Sequence, residues 1–354
     1  MEFVYKFPVV KGIQANRVYY IAMVPLKMLA KLFPKEDEYV LPEFRAQRRL
    51  NESRIPIISK YIIENKKNYV FSALAASIDG NFKYIKSDIS DDVGVLEVSM
   101  DAHFLLNDGQ HRKAAILDAL REDESLGDET IAVVLYEDKG LSRSQQIFTD
   151  LNKHAVKTSN SISELYDSRD PLAVMTRNVI SKIDFLNQYT DKEKDNLGKY
   201  ASNLFTLNTF YNANKRIIGG KNIEEDTEAF VIKYWSTIVK YMKPWKELCS
   251  SEISKKDLRE KYIATQGVVI KAFGQVGRFF YNNCNVDLDK SLDGISKINW
   301  RRNAEIWLKR AIRSNGRMIV NEQAVRLIAN YIKNFLDIPL DDDEKEIELN
   351  FEKN

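Results

Sequence analysis

Five consecutive residues, Asp108-Gly109-Gln110-His111-Arg112, carry the chemistry most directly readable from this chain. They follow an apolar run, Phe104 to Leu106, and precede an amphipathic stretch whose packing positions would be Ala114, Ala115, Leu117 and Leu120. Glycine turns tightly without a Cβ clash, and Asn107 or Asp108 could cap a helix starting there. Backbone N–H groups at a helix start attract anions, and His111 and Arg112 add side-chain donors beside them. The result is a phosphate-sized site. An ordinary strand-turn-helix junction with solvated charges accounts for the same residues, because such junctions are common. The catalytic candidates are Asp108, His111 and Asp150, with Asn152 and His154 near the last of these. Asp150 could hold a metal or orient a ring nitrogen of His111, or it could cap a helix or pair with Arg143 or Lys153.

The surrounding pattern predicts the elements that position this turn. Val18 to Met23 reads as a strand and Pro25 as the start of a short helix through Phe33. Pro42 to Lys67 reads as helix in two pieces, broken near Asn51, with Pro56 opening the second. Tyr69 to Ile78 is a buried-strand candidate, and Asp79-Gly80 has type I′ turn chemistry for a hairpin returning through Phe82 to Ile85. Val95 to Met100 and Thr130 to Tyr136 complete the strands, and Ser142-x-x-Gln145 is a capping box for a helix to Asn152. Strand signals fade from about Ser163. Helices are expected from Asp170-Pro171, over Asn203 to Lys215, over Glu224 to Trp245 with Pro244 ending or bending it, from Thr265 or Gln266 to Asn282, and from Asn321 to Leu336. The expected fold class is α+β, with an α/β domain over 1–162, a helical domain over 163–336 and an acidic, mobile tail over 337–354.

Two stretches are basic. Arg45, Arg48, Arg49 and Arg54 lie in the early helical region, where a solvated helix face is the plainer reading. Lys297 to Arg317 holds Lys297, Arg301, Arg302, Lys309, Arg310, Arg313 and Arg317 against Glu305 alone, with Trp300 and Trp307 interleaved. Clustered Arg and Lys neutralise phosphates, which is the main source of non-specific DNA affinity. Pairing with the acidic tail is the alternative use of that charge.

Composition narrows the class. The 354 residues carry a net charge of +2, so any nucleic-acid surface must come from local segregation of charge. Met1 to Val10 lacks the marks of a signal peptide, and no run approaches the roughly 20 apolar residues of a membrane span. Cys249 and Cys284 suggest reduced thiols in a cytoplasm, and the three histidines form no zinc spacing with them, so no metal site is expected. A P-loop is absent.

Beyond these readings, the pentapeptide resembles the namesake motif of the DGQHR-domain proteins, distant relatives of the ParB amino-terminal and sulfiredoxin fold. Lys11-Gly12-Ile13-Gln14-Ala15, Tyr19-Tyr20, Arg45-Ala46-Gln47-Arg48, Tyr69-Val70-Phe71-Ser72-Ala73-Leu74 and Phe148-Thr149-Asp150-Leu151-Asn152 extend the likeness over most of the chain to the DndB family of DNA phosphorothioate-modification clusters. A DGQHR protein of deazaguanine DNA-modification systems is the competing assignment. The resemblance implies a ParB/sulfiredoxin-like amino-terminal domain whose turn, Asp108, Gly109, Gln110, His111 and Arg112, meets a nucleotide or DNA phosphate, and it suggests ATP, with or without Mg, as a cofactor. Gln110 stands where the sulfiredoxin motif has cysteine, so sulfinic-acid reductase chemistry is not expected. The function implied is a cytoplasmic, DNA-binding transcriptional repressor of its own modification gene cluster, with promoter duplex and other modification proteins as partners. The alternatives are an NTPase with weak ATPase activity, a ParB-like nuclease, or a scaffold that touches only the modification proteins. Homo-oligomerisation is left open.

Overall fold

The computed structural model describes residues 3–34, 52–137, 146–147, 150–151, 158–198 and 201–353. The chain divides into two compact units, Met1–Val156 and Lys157–Asn354.

Among the described residues the first unit has seven strands: β1 (Val4–Gln14), β2 (Arg17–Pro25), β3 (Leu74–Asp79), β4 (Phe82–Lys86), β5 (Val93–Ser99), β6 (His103–Asp108) and β7 (Thr130–Glu137). Their order is β4-β5-β1-β2-β7-β3-β6. The pairings are antiparallel except β3 with β7. Only Gly80 and Asn81 separate β3 from β4, although the two strands stand five places apart in the sheet order. A flat sheet would put them roughly 24 Å apart, whereas so short a link spans roughly 11 Å at most. The sheet therefore curls toward closure. Phe104 of β6 accordingly meets Tyr5 and Phe7 of β1 across the interior, with ring centroids 6.3 and 6.2 Å apart.

That curl corrects the expected hairpin. Asp79-Gly80 does join β3 to β4, but β4 pairs with β5, while β3 pairs with β6 and β7. β1 has no counterpart among the expected strands. Pro8 sits inside it, opposite Val95, and Lys6 and Lys11 interrupt its apolar pattern, so periodicity alone hides a strand that pairs on both edges. The helix Ile55–Glu64 has Pro56 in its first turn, as expected. Candidates Arg45, Arg48 and Arg49 lie outside the described residues, as do Arg143, Asn152, Lys153 and His154.

The second unit is helical, apart from a two-stranded pairing at Thr190–Asp191 and Phe205–Thr206. Its helices include Pro171–Lys182, Leu207–Ile218, Glu225–Tyr241, Gly267–Asn282 and Glu322–Phe335. Asp170 and Asn321 cap their helices through side-chain oxygens, as the sequence implies. The chain breaks at Met242, and a separate helix, Lys243–Cys249, starts with Pro244 in its first turn. The aromatic residues at helical spacing serve the core: Tyr234 and Trp235 are fully buried, and the Trp235 indole donates to Asn214 at 2.8 Å.

The expected acidic tail contains a helix with buried acids. Asp341 caps a helix, Asp342–Glu352, and its Glu344 and Glu348 are buried against Lys333 and Arg310. Composition suggests a solvated tail because it counts acids without knowing which face they occupy. Among the described residues no helix is long and apolar enough to cross a membrane.

Candidate functional site

The expected turn forms, but its chemistry is used differently. β6 runs into Gly109, which caps the helix Gln110–Glu122 in a left-handed conformation, φ 101°. The positive φ favours glycine, and a Cβ here would lie 2.3 Å from Leu74 Cδ2, forcing that side chain to shift. Neither Asn107 nor Asp108 caps the helix. Asn107 is fully buried and donates to Ser77 Oγ at 2.7 Å. The Asp108 carboxylate instead accepts from Arg112 one turn later. The helix buries Ala115, Ile116 and Ala119, with Leu117 and Leu120 partly packed, so the apolar face is rotated slightly from the expected one.

Arg112 is the centre of this joint. Its Nη1 donates to Ser72 O and Ser72 Oγ, both at 2.6 Å, and to Ala73 O at 2.7 Å, while Nη2 serves Asp108. The side chain is only 18% exposed. The guanidinium fork that could have met a phosphate is engaged by protein oxygens. Two stretches far apart in sequence, Ser72 to Leu74 and Asp108 to Arg112, are therefore one structural unit. Another of the quoted stretches has a similarly direct packing reason. A Cβ at Gly12 would lie 2.6 Å from the ring of Tyr19, which covers that backbone.

Of the expected catalytic candidates, Asp108 is engaged by Arg112. Asp150 is exposed and accepts from Gln146 of its own helical turn at 2.6 Å. Gln110 and His111 are half-buried on the first turn of their helix. Among the described residues no group of three or more His, Cys, Asp or Glu side chains could hold a metal ion.

One carboxyl in the second unit escapes the sequence reading. Burial, with Asp195 and Asp170 nearby, pushes Glu164 up to about 7. Its Oε1 accepts from Asn208 at 3.0 Å and its Oε2 is buried without a partner. Nothing local in the sequence signals this, since the groups that perturb it come from separate segments.

The basic segment gives a clearer surface. Trp300 and Trp307 are buried and stacked, with centroids 5.5 Å apart and planes at 19°. The Trp307 indole donates to Asn299 O at 2.7 Å, and Tyr331 packs edge-on at 5.1 Å. Short backbone bonds then fold the chain over this anchor: Ala311 N to Trp307 O, Lys309 N to Ile312 O and Arg313 N to Arg317 O. With the indoles turned inward, Arg301, Lys309, Arg313 and Arg317 are left exposed and Arg302 half-buried. Among the described residues no carboxylate pairs with Arg301, Arg302, Arg313 or Arg317.

Arg310 departs from the expected set. It is 7% exposed, grips both oxygens of Glu348, and donates to Leu327 O at 2.7 Å. Its charge is spent inside the protein. Lys261 takes a place in the surface that the sequence does not suggest. A bridge between Tyr262 and Arg301 brings it beside Arg302, whose N–H bonds to Lys261 O at 2.7 Å. Lys261, Arg301, Arg302 and Arg313 line an open cleft of about 810 Å³, which also includes Glu260, Glu305 and the apolar Leu308 and Ile312. Arg54 is exposed on a short 3-10 turn in the first unit.

Against this geometry, the family model described as DndB, DNA-sulfur modification-associated, matches residues 7–339. The chain belongs to the DndB family. Membership places it in DNA phosphorothioate-modification systems, and the match runs through both units. No curated protein and no solved structure matches the chain. In this DndB-family chain the DGQHR turn is a packed joint, and the basic segment of the helical unit exposes Arg301, Lys309, Arg313 and Arg317.

Proposed function

We propose that this chain is a DNA-binding regulator of a phosphorothioate-modification gene cluster, gripping duplex phosphates with Arg301, Arg302, Lys309, Arg313, Arg317 and Lys261. The observation that carries this reading is the outward-facing basic segment on a buried tryptophan pair, with four arginines that no carboxylate among the described residues neutralises. Arginine forks suit phosphate oxygens, and neutralising phosphates releases counterions, so such a surface favours duplex DNA even on a chain of net charge +2. Family membership supports the same assignment through its association with DNA modification. The partners on this reading are the duplex upstream of the cluster and the other modification proteins, in the cytoplasm.

The turn at Asp108 to Arg112 is proposed to set the shape of the first unit. ATP at that place would have to rely on groups other than the Arg112 side chain, which Ser72, Ala73 and Asp108 already occupy.

The test is competition between the duplex upstream of the gene cluster and an unrelated duplex of equal length. A regulator should prefer its own site by about a thousandfold or more, the lower end of the usual range for specific recognition. Equal affinity would leave a DNA-binding protein without operator recognition, and the regulatory reading would fail.

A further inference from the structure

We propose that the C-terminal helix Asp342–Glu352 is a displaceable acidic strap, held by two buried ion pairs and released when a polyanion occupies the basic segment. The proposal rests on the DNA-binding reading above and adds its regulation.

The inward face of this helix is unusual for a docked helix, which ordinarily buries an apolar stripe. Here the buried positions are Glu344 and Glu348, with Ile347 and Phe351 half-buried, while Leu349 points outward at 56% exposure. Both oxygens of Glu344 accept from Lys333 Nζ at 2.6 Å, and both side chains are almost wholly enclosed. Glu348 holds Arg310 through both terminal nitrogens, and the Arg310 guanidinium lies 4.4 Å from the Phe351 ring centroid. The docking is therefore chiefly electrostatic.

Such a hold is well suited to exchange. Desolvation of buried charges offsets most of their attraction, so an ion-paired interface of this kind holds less firmly than its short distances suggest. A phosphodiester offers Arg310 the same two-oxygen partner that Glu348 supplies. Arg310 also lies in sequence between the exposed Lys309 and Arg313, so a duplex seated on those residues is positioned to compete. The exposed acids Asp342, Asp343, Glu346 and Glu352 meanwhile repel an approaching duplex. The helix begins beyond residue 339, the last that the family model matches.

The experiment measures amide hydrogen exchange of residues 342–352 in the full chain, with and without a saturating 30-base-pair duplex, while binding is monitored in the same samples. Binding is compared for wild type, for Glu344→Gln with Glu348→Gln, and for a chain ending at Leu340. Exchange in the helix should rise at least about tenfold on DNA addition, and both altered chains should bind roughly fivefold tighter, with a steeper salt dependence. Release of the helix in the double variant provides the readout if the shortened chain fails to fold. DNA bound with the helix still protected, and with wild-type affinity in the double variant, overturns the strap and leaves the DNA reading standing. If neither wild type nor the altered chains bind DNA, the DNA reading itself falls, and the strap falls with it.

Discussion

Replacing Trp307 with alanine should destabilise the second unit by about 3–5 kcal/mol, the usual cost of removing a buried indole. At about 2–4 °C per kcal/mol for a unit of this size, the unfolding midpoint should fall by roughly 10 °C. The expectation follows from position: Trp307 is fully buried, stacks on Trp300, meets Tyr331 edge-on, and donates its indole hydrogen to Asn299 O. DNA affinity should drop with stability, because the turns carrying Lys309, Arg313 and Arg317 are folded over that ring. Trp307→Phe should restore most of the packing but not the hydrogen bond, giving an intermediate midpoint. Thermal melts followed by circular dichroism, paired with DNA titrations at a temperature where each variant is folded, test both effects. A Trp307→Ala protein that melts like wild type and binds DNA equally well would show that the basic segment is held by something other than the stacked indoles.

Arg112→Ala should be nearly as damaging to the first unit, at about 2–4 kcal/mol. A charged hydrogen bond typically contributes about 1.5–3 kcal/mol, and this guanidinium satisfies Ser72 O, Ala73 O and Asp108 together. Arg112→Lys should rescue little, since a single ammonium cannot reproduce the planar fork. The measurement that separates a structural joint from a ligand clamp combines denaturant unfolding with DNA and ATP titrations. Lower stability in both variants, with DNA affinity of the folded fraction retained, is the result expected. Wild-type stability with lost ATP or DNA binding would return Arg112 to the role of phosphate ligand.

What can be read from the sequence is mostly local. The strand into Gly109, the helix out of it and the caps at Asp170 and Asn321 depend on residues within a few positions of one another, and the structure has them all. The basic stretch is visible because its charges are contiguous. What fails are inferences about partners brought from afar. Arg112 looks like a free cation until Ser72 and Ala73 arrive from forty residues earlier, and Arg310 until Glu348 arrives from the C-terminal helix. Lys261 is missed for the same reason, since only the bridge at Tyr262 brings it to the cleft. Curling of the sheet likewise depends on pairings of β1 that no local pattern reveals.

The most direct test of DNA binding by the helical unit is the salt dependence of duplex affinity for wild type and for Arg301→Glu with Arg313→Glu. Both residues are exposed, and the Arg301 guanidinium lies 5.2 Å from the Tyr262 ring centroid, so the double variant should melt close to wild type, losing at most about 1 kcal/mol of cation–π contact. Its affinity near 0.1 M salt should fall by about tenfold or more, and the slope of log affinity against log salt should flatten by about two, close to one for each phosphate no longer neutralised. A folded double variant with wild-type affinity and wild-type slope would contradict the assignment of this surface to DNA.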